Sequence, residues 1–329
     1  MKISVIVPVY NVAPYLAICL NSLLPALAPG DELLLVQGAS TDKSKEISLH
    51  YKAEHTQVMV LEQNGTGLSN ARNCGLQAAT GDYVLFIDSD DFVETGTLSQ
   101  LLSSIRKNGI SVDVWMTDYY KHFEANGTDQ LVEQIGSQHV SQVQELAKIL
   151  PSHQCFWNVW KNVYRRSFLL KNGLFFTEGT YAEDIDFMAG LFLMRPKIQT
   201  MPLPFYHYRI GRSGSLMNGV PLKRVQDTVS VLENSIQRLR YSGLAWIGPV
   251  VAGFQFEYLL NLALLCEVST LHQREAQKAY RDYRKILRPT TDFAVMACTA
   301  AMYLIGVKGI SRLLWFAKYM KRKKEHRTI

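Results

Sequence analysis

The stretch Gly81–Val93, which reads GDYVLFIDSDDFV, is the part of the sequence that determines the fold class. Its apolar run Tyr83–Ile87 is short, bulky and bounded by a glycine and an aspartate, which is typical of a buried central strand in a parallel sheet. The carboxylates of Asp88, Asp90 and Asp91 follow directly. Ligands of open α/β sheets bind at the carboxyl ends of strands, and such carboxylates suit a hard divalent cation that bridges to phosphate oxygens. The residues alone leave a second interpretation open, an acidic turn that caps the following helix.

Apolar runs alternate with helical spacing of apolar residues ahead of this stretch. The patterns predict, in order, a strand at Ile3–Val9, a helix after Pro14, a strand at Glu32–Val36, a helix at Thr41–Tyr51, a strand at Val58–Leu61 and a helix at Ser69–Ala79. Strands and helices that alternate in this way form a parallel sheet with right-handed crossovers. The sequence therefore predicts an α/β fold whose fourth strand leads into the carboxylates.

The pattern is less regular after the carboxylates. It predicts a helix at Thr97–Lys107, a strand at Val112–Met116, a loop or hairpin at Glu124–Gln138, a helix at Gln142–Leu150 and a strand at Ile198–Pro204. The aromatic-rich segment Phe156–Leu170 is either core packing with solvated cations or a functional segment. Tyr206–Ser215, read YHYRIGRSGS, is predicted to be a loop. Its Arg209 and Arg212 would let it fold over a diphosphate, because guanidinium groups match phosphate geometry; an ordinary surface loop is the alternative.

Composition limits the classes of protein to consider. A chain of 329 residues with 47% hydrophobic residues can bury a large core. Its five cysteines form no CxxC pair, which argues against zinc and for a reducing, cytosolic compartment. The chain opens on a strand pattern without a cleavage site, so no signal peptide is expected. The net charge of +6 belongs to the segment from Lys308 to Arg327, which carries +7, so we expect no nucleic-acid binding.

The strand patterns stop at Pro221. Four helices are predicted after it, at Leu222–Tyr241, Pro249–Val268, His272–Leu287 and Thr290–Val307. Phe293–Val307 has fifteen uncharged residues, whereas a bilayer crossing needs about 20. The stretch that follows combines the apolar residues Leu313–Phe316 with a cationic cluster, as surface-lying membrane helices do. We expect this tail to bind an anionic membrane surface; a solvated tail or one that docks on a partner protein is the alternative.

Several segments recur in one known family in the same order and spacing. They are SVIVPVYN at Ser4–Asn11, STDKS at Ser40–Ser44, GLSNARNCGLQAATGDY at Gly67–Tyr83, the DSDD stretch and AEDIDF at Ala182–Phe187. In these segments the chain closely resembles the inverting glycosyltransferases of family 2, of the type that builds bacterial surface polysaccharides. The resemblance is very specific over residues 1–95, fair to about residue 216 and absent beyond. It implies a GT-A catalytic domain over residues 1–216, with a helical region over 217–329.

The resemblance also implies a site. It gives donor-binding roles to Pro8, Tyr10, Gln37, Arg72, Asp88, Ser89, Asp90, Arg209 and Arg212. The donor would be a nucleoside-diphosphate sugar, with UDP expected as the nucleotide. Asp90 would hold Mn²⁺ or Mg²⁺ to neutralise the leaving diphosphate, with Asp88 on the ribose or on a metal-bound water. His207 would either add an imidazole to this metal or be structural.

A catalytic base is expected in the AEDIDF segment. Glu183, Asp184 and Asp186 open an otherwise apolar helix that runs to Met194, where the helix dipole favours carboxylates. Capping explains one of them, and three together in a chain that must deprotonate a sugar hydroxyl indicate a base. The resemblance assigns this role to Asp184, with Glu183 as the second choice.

The chain departs from the family just before STDKS. Relatives usually carry paired aspartates that contact the nucleotide, where this chain has Gln37, Gly38 and Ala39. An amide can still read a uracil edge, but the choice of nucleotide depends on this change. A lysine that relatives commonly carry one position after Lys161 is also displaced, so its role is not transferred.

The sequence thus predicts a metal-dependent, inverting glycosyltransferase that extends a lipid-linked glycan at the inner face of the cell membrane. Two alternatives remain. The lost aspartates would suit a non-catalytic member that binds a sugar nucleotide or a partner, although a binding protein has no need of a base. A transferase acting on polyprenyl phosphate would usually carry true spanning helices.

Overall fold

The computed structural model describes residues 1–108, 111–135, 140–149, 157–211 and 220–325. The chain forms two compact units. The first comprises Met1–Glu145, Trp157–Gly179 and Gly190–Ser213, and the second comprises Leu146–Phe156, Thr180–Ala189 and Gly214–Ile329. The domain boundary expected between residues 216 and 217 lies in the segment 212–219, outside the described residues.

All strands of the described chain lie in the first unit. They are β1 (Ile3–Val9), β2 (Glu32–Gln37), β3 (Val58–Glu62), β4 (Tyr83–Phe86), β5 (Phe92–Val93), β6 (Val114–Met116), β7 (Tyr119–Phe123), β8 (Thr128–Val132), β9 (Val163–Arg165), β10 (Ile198–Thr200) and β11 (Tyr206–Ile210). Seven of them form the main sheet in the order β10-β6-β9-β4-β1-β2-β3, and four form a second sheet in the order β5-β11-β7-β8. The predicted α/β class with a mostly parallel central sheet is confirmed, since only β9 runs antiparallel to its neighbours in the main sheet.

Helices connect these strands. They are α1 (Ala13–Leu23), α2 (Ser44–Glu54), α3 (Gly67–Ala78), α4 (Thr95–Asn108), α5 (Val143–Ile149), α6 (Arg166–Lys171) and α7 (Glu183–Leu193). Helix α3 lies very close to β1, because a Cβ added to Gly75 would stand 2.3 Å from Cγ2 of Ile6. The strands β1, β2 and β4 are buried at every position, which explains why their sequences are apolar without alternation.

Three segments of the sheets differ from the prediction. The aromatic-rich segment Phe156–Leu170 contains strand β9, which enters the main sheet between β4 and β6. The segment predicted as the loop Tyr206–Ser215 begins with strand β11, which pairs antiparallel with β5 and parallel with β7. The hairpin expected within Glu124–Gln138 is present, but its first strand β7 starts earlier, at Tyr119.

The second unit is helical after residue 220, as predicted. Its helices there are α8 (Leu222–Arg240), α9 (Gly248–Asn261), α10 (Gln273–Ala279), α11 (Tyr283–Ile286) and α12 (Phe293–Glu325), with a 3-10 turn at Leu262–Cys266. The guanidinium of Arg240 donates hydrogen bonds to the carbonyls of Lys285, Ile286 and Pro289 at 2.8, 2.6 and 3.0 Å, which satisfies the end of α11.

Helix α12 joins two segments that the sequence predicted to be separate. The helix breaks at Gly306, with φ 70° and ψ 173°, one residue before the predicted end of the first segment at Val307. Ser311 beyond it still donates a 2.7 Å hydrogen bond to the carbonyl of Leu262. By length and composition, two helical stretches of the described residues could cross a membrane: Gly248–Cys266, 67% buried, and the 28-residue Phe293–Met320, 22% buried. The second is longer than the fifteen residues considered above.

Candidate functional site

The DSDD stretch leaves β4 at the carboxyl end of the strand. Asp91 is 1% exposed; its Oδ2 accepts a 2.6 Å hydrogen bond from the Tyr206 hydroxyl, and its Oδ1 accepts a 2.7 Å bond from the backbone N–H of Arg209. Burial raises the pKa of this carboxyl well above its usual range, and repulsion from Asp90 and Asp88 raises it further. Asp91 therefore holds strand β11 at this edge. The expectation that all three carboxylates meet a cation is wrong for Asp91, because both of its oxygens already have donors.

Asp88 stands at the strand end in a pair with Arg72. Nη2 of Arg72 lies 2.8 Å from Oδ1 of Asp88, and the two side chains are 1% and 19% exposed. The guanidinium also lies over the ring of Phe176, 5.1 Å from its centre. A guanidinium this deeply buried is stable only when it is paired. Arg72 thus positions the carboxylate of Asp88, and its predicted contact with the donor stays a prediction.

Asp90 and Arg209 form the other side of the edge. Asp90 is half-buried, and the preceding Ser89 is buried. The backbone carbonyl of Asp90 accepts a 2.7 Å hydrogen bond from Nε of Arg209, whose Nη1 pairs with Glu124. Nη2 of Arg209 is buried and has no hydrogen-bond partner within the described part of the chain. The prediction of a flexible arginine loop is corrected, because Arg209 lies on β11; Arg212 lies outside the described residues.

His207 does not join the DSDD carboxylates. Its Nδ1 lies 3.1 Å from Oδ1 of Asp129, and its ring stacks on Phe92 and Tyr120 with centres 4.6 and 4.9 Å away. None of its contacts in the described residues is with Asp88 or Asp90. The expectation that His207 completes their metal site is therefore not met: it faces the β7–β8 hairpin.

The end of β1 forms the neighbouring part of the edge. Pro8 is buried within β1, and Tyr10, directly after it, is 59% exposed. Asn11 adopts φ 50°, a left-handed conformation that asparagine tolerates, and its Oδ1 accepts a 2.8 Å hydrogen bond from the N–H of Thr41. The STDKS loop is thereby held beside β1, and Tyr10 is left as an open aromatic face at the site.

Gln37 points into the protein. It is 1% exposed; its Nε2 donates to Oγ of Ser40 at 2.9 Å and to the carbonyl of Gly38 at 3.2 Å, while Oε1 accepts from Ser48 at 3.2 Å. Both ends of the amide are engaged inside the protein, so reading a base edge would require these contacts to break. The role of Gln37 in nucleotide choice stays a prediction.

The AEDIDF segment lies in the second unit. Its helix α7 runs on to Leu193, and the residues from Gly190 belong to the first unit. Glu183, Asp184 and Asp186 form the first turn of α7, as predicted. Asp186 pairs with Nη2 of Arg238 at 2.9 Å. Ala182, directly before the helix, adopts φ 65°. Non-glycine residues held in this region cost about 1–3 kcal/mol each and cluster at active sites, ligand clamps and switch regions.

Sequence reasoning missed Tyr206, Glu124 and Arg238 as partners of the site residues. The signal for Tyr206 was present, since YHYRI alternates bulky and polar side chains as a half-buried strand does. In a strand of this kind Tyr206 lies on one face of β11 and Arg209 on the other. Nothing in the local sequence indicates Arg238, because it reaches Asp186 from 52 residues away.

The remaining carboxylates fit a hard divalent cation. Asp88 and Asp90 supply oxygen ligands at a partly exposed edge, and Mg²⁺ and Mn²⁺ take such ligands, usually one or two carboxylates with phosphates for the rest. The negative charge of these carboxylates affects the nearby thiol of Cys19. Burial raises the pKa of this thiol well above its usual value, and the charges of Asp91, Asp90 and Asp88 raise it further. A cation at this edge would offset that concentration of negative charge.

Comparison with known families decides the identity. The model of glycosyl transferase family 2 matches residues 4–179, more than half of the chain. This chain belongs to glycosyl transferase family 2. The resemblance seen in the motifs is therefore confirmed.

The relatives are glycosyltransferases of bacteria. The chain is 30% identical to the uncharacterized glycosyltransferase EpsJ of Bacillus subtilis over 68% of its own length and 65% of EpsJ. It is also 30% identical to glycosyltransferase GlyG of Streptococcus pneumoniae over 74% of its own length and 82% of GlyG. A match to GlyA of the same species covers 35% of GlyA. The chain thus spans less than two thirds of some relatives.

Solved structures agree on the fold. The S. aureus TarS fragment 1–349 superposes with a TM-score of 0.71 at 18% identity, over 98% of this chain and 92% of that one. The mannosyltransferase PcManGT from Pyrobaculum calidifontis, in complex with GDP-Man and Mn²⁺, superposes with a TM-score of 0.56 at 16% identity over 95% of this chain. The predicted GT-A fold with a helical C-terminal region is confirmed.

Proposed function

We propose that this protein transfers a sugar from a UDP-sugar to a hydroxyl group of a bacterial surface glycan, with inversion at the anomeric carbon. The observation that carries the proposal is the pair of partly exposed carboxylates, Asp88 and Asp90, at the carboxyl edge of the sheet. Two likenesses support the donor and the product class. TarS has been solved with UDP-GlcNAc, and a relative 28% identical over 74% of this chain is a poly(ribitol-phosphate) beta-glucosyltransferase.

Asp90 and Asp88 would hold Mn²⁺ or Mg²⁺, which supplies positive charge to the diphosphate as it leaves. The protein's own residues prepare that edge. Arg72 orients the Asp88 carboxylate through their 2.8 Å pair. Arg209 fixes the backbone of Asp90, and its buried Nη2 has a donor left for a phosphate oxygen. The exposed ring of Tyr10 offers a stacking face for the base.

The proton of the acceptor hydroxyl goes to Asp184 in this proposal. The match of AEDIDF to the family motif supports Asp184 as the base, with Glu183 as the second choice, and Asp186 pairs with Arg238 at 2.9 Å. The strained conformation of Ala182 supports a functional first turn, because the fold keeps an unfavourable φ directly before it. Attack on the side of the sugar opposite the diphosphate produces inversion.

We place the protein on the cytoplasmic face of the cell membrane, where it would meet a lipid-linked acceptor. The support is helix α12, whose exposed apolar side chains include Leu304 (86% exposed), Leu313 (58%) and Phe316 (56%). Lysine and arginine residues are dense in the same helix after Gly306. Apolar residues combined with cations are the composition of helices that lie on anionic membranes.

A thermal-shift panel of nucleoside-diphosphate sugars with Mn²⁺ tests the proposal. A specific donor present at 100 times its dissociation constant adds about 2.7 kcal/mol to the stability of the folded state. We expect UDP-sugars to raise the Tm and GDP- and CDP-sugars not to. A panel in which no nucleotide sugar raises the Tm would contradict the proposal, and binding without any turnover would favour the non-catalytic alternative.

A further inference from the structure

A second group of metal-ligand side chains lies in the four-stranded sheet. His122 and Asp129 are directly opposed across the β7–β8 hairpin, and His207 lies on β11, which pairs with β7. Nδ1 of His122 lies 2.9 Å from Oδ1 of Asp129, and Nδ1 of His207 lies 3.1 Å from the same oxygen. The ligand atoms of the three residues all lie within 4.8 Å of one another.

The contact between His207 and Asp129 has the length expected for two ligands of one metal ion. His207 is 8% exposed, and its Nδ1 and that of His122 both approach the same carboxylate oxygen of Asp129, at 3.1 and 2.9 Å. Two ligands of one metal ion do stand about 3 Å apart without sharing a proton, because each lies about 2.0–2.2 Å from the ion.

We propose that His122, Asp129 and His207 bind a late first-row divalent metal ion, for which zinc is the natural occupant. Two imidazoles and one carboxylate suit Zn²⁺, whereas Asp88 and Asp90 offer only oxygen ligands, so the two sites prefer different ions. Asp129 is 37% exposed at its side chain, so water can take a fourth position. The missing CxxC pairs excluded only zinc held by cysteine.

The surrounding rings hold the two histidines ready for a metal. Phe92 stacks on His207 at 4.6 Å and meets the ring of His122 edge-on at 5.0 Å. Tyr120 also stacks on His207, with the ring centres 4.9 Å apart. Side chains whose rotamers are fixed by packing lose little entropy when they bind an ion.

The site would fasten the hairpin to the strand that supports the DSDD edge. Strand β11 carries both His207 and Arg209, and the backbone of Arg209 binds Asp91. A metal shared by β7, β8 and β11 would therefore stabilise the second sheet. It would not need to touch the donor.

Zinc binding to the full chain tests the inference. The purified protein would be stripped with a chelator and titrated with Zn²⁺ against a chromophoric competitor, in an Asp90→Asn background that removes a ligand of the other proposed site. The test variants are His122→Gln and Asp129→Asn. His50→Gln is the matched control, because His50 also lies near a carboxylate, 3.4 Å from Glu54, but is 63% exposed and belongs to no such cluster.

We expect the control to bind one equivalent of zinc tightly. Loss of a residue that only supports a metal ligand lowers affinity by roughly 10- to 100-fold, and we expect a larger loss of zinc affinity in both test variants. Zinc should also raise the Tm of the control alone, and Co²⁺ should give it a four-coordinate absorption spectrum. Circular dichroism of the metal-free proteins establishes whether each variant is folded. If one test variant is not folded, the zinc affinity of the other test variant decides the result. Equal zinc affinity in the control and a folded test variant, or no tight equivalent in the control, would overturn the inference.

Discussion

The hydroxyl of Tyr206 donates a 2.6 Å hydrogen bond to Oδ2 of Asp91, and this bond joins the second sheet to the carboxyl edge of the main sheet. The other oxygen of Asp91 accepts from the backbone of Arg209 on the same strand. One buried carboxylate thus fixes where Asp88 and Asp90 stand relative to β11. The position of the proposed site therefore depends on this contact.

Replacing Tyr206 with phenylalanine should destabilise the protein by about 1–3 kcal/mol, because a buried carboxylate oxygen loses its donor. The ring keeps its stacking on Trp160, whose centre lies 4.1 Å away. Tyr208→Phe is the control, since this ring stacks on the same tryptophan at 5.4 Å. Urea unfolding of both variants measures the difference, and equal losses would mean that the bond to Asp91 contributes nothing.

Asp184→Asn should slow the chemical step by about 10² to 10⁴ while donor binding persists, because an amide cannot take the proton of the acceptor. Single-turnover transfer and donor affinity would be measured on the same preparation. Asp186→Asn serves as the comparison, because Asp186 pairs with Arg238 and should affect stability more than rate. Full activity of Asp184→Asn with loss in Glu183→Gln would move the role to Glu183.

Glu32 provides a pH-dependent test of the fold. Burial alone would raise its pKa, but hydrogen bonds from Lys2, Ser4 and Thr80 outweigh burial and lower it from 4.5 to about 2. The folded-state pKa is therefore depressed, so the stabilisation is complete above pH 4.5 and is lost as the pH falls towards 2. A shift of this size corresponds to about 3 kcal/mol.

Glu32→Gln should consequently lower the free energy of unfolding at neutral pH by an amount of that order, and the gap to the unmodified protein should close as the pH is lowered through this window. Glu62→Gln is the control: its pair with Lys45 is 62% and 56% exposed at the two side chains and should matter little. A gap for Glu32→Gln that does not change with pH would show that the hydrogen bonds do not favour the charged form.

Helix α12 should bind anionic vesicles at low salt and release them at high salt. The double change Leu313→Gln and Phe316→Gln should reduce co-sedimentation, because both side chains are more than half exposed. Leu271→Gln is the control, since Leu271 is 83% exposed but lies outside the helix. Sedimentation that high salt does not reverse would contradict peripheral binding and favour a spanning role for Phe293–Met320.

The main sheet was predictable because its strands are buried on both faces. Tyr83–Phe86 reads as an uninterrupted apolar run for that reason, and the carboxylates must follow where the strand meets solvent. The helix at Gly67–Ala78 was likewise visible from its apolar spacing and the glycine after it. The local sequence is sufficient to predict a strand or helix where that element is fully buried.

Strand β9 and strand β11 were not predicted, because short strands take their partners from distant parts of the chain. Val163–Arg165 is three residues long and pairs with both β4 and β6. In the second sheet, β11 pairs with β5 and β7, which both lie more than 80 residues earlier in the chain. Neither the engagement of Arg209 nor the approach of His207 to Asp129 could therefore be predicted from spacing. Motif resemblance names such residues but does not say which of them face the ligand.

The release of UDP from a UDP-sugar, with and without a divalent ion, tests the proposed activity most directly. The full chain would be compared with Asp90→Asn, which removes one oxygen ligand at the strand edge, and with Asp282→Asn, which changes a carboxylate remote from it in sequence. We predict that the unmodified protein and Asp282→Asn bind the UDP-sugar and release UDP in a Mn²⁺-dependent way. Asp90→Asn should lose both donor binding and UDP release without a change in Tm. Undiminished release by Asp90→Asn, or by the unmodified protein in excess chelator, would contradict the proposal.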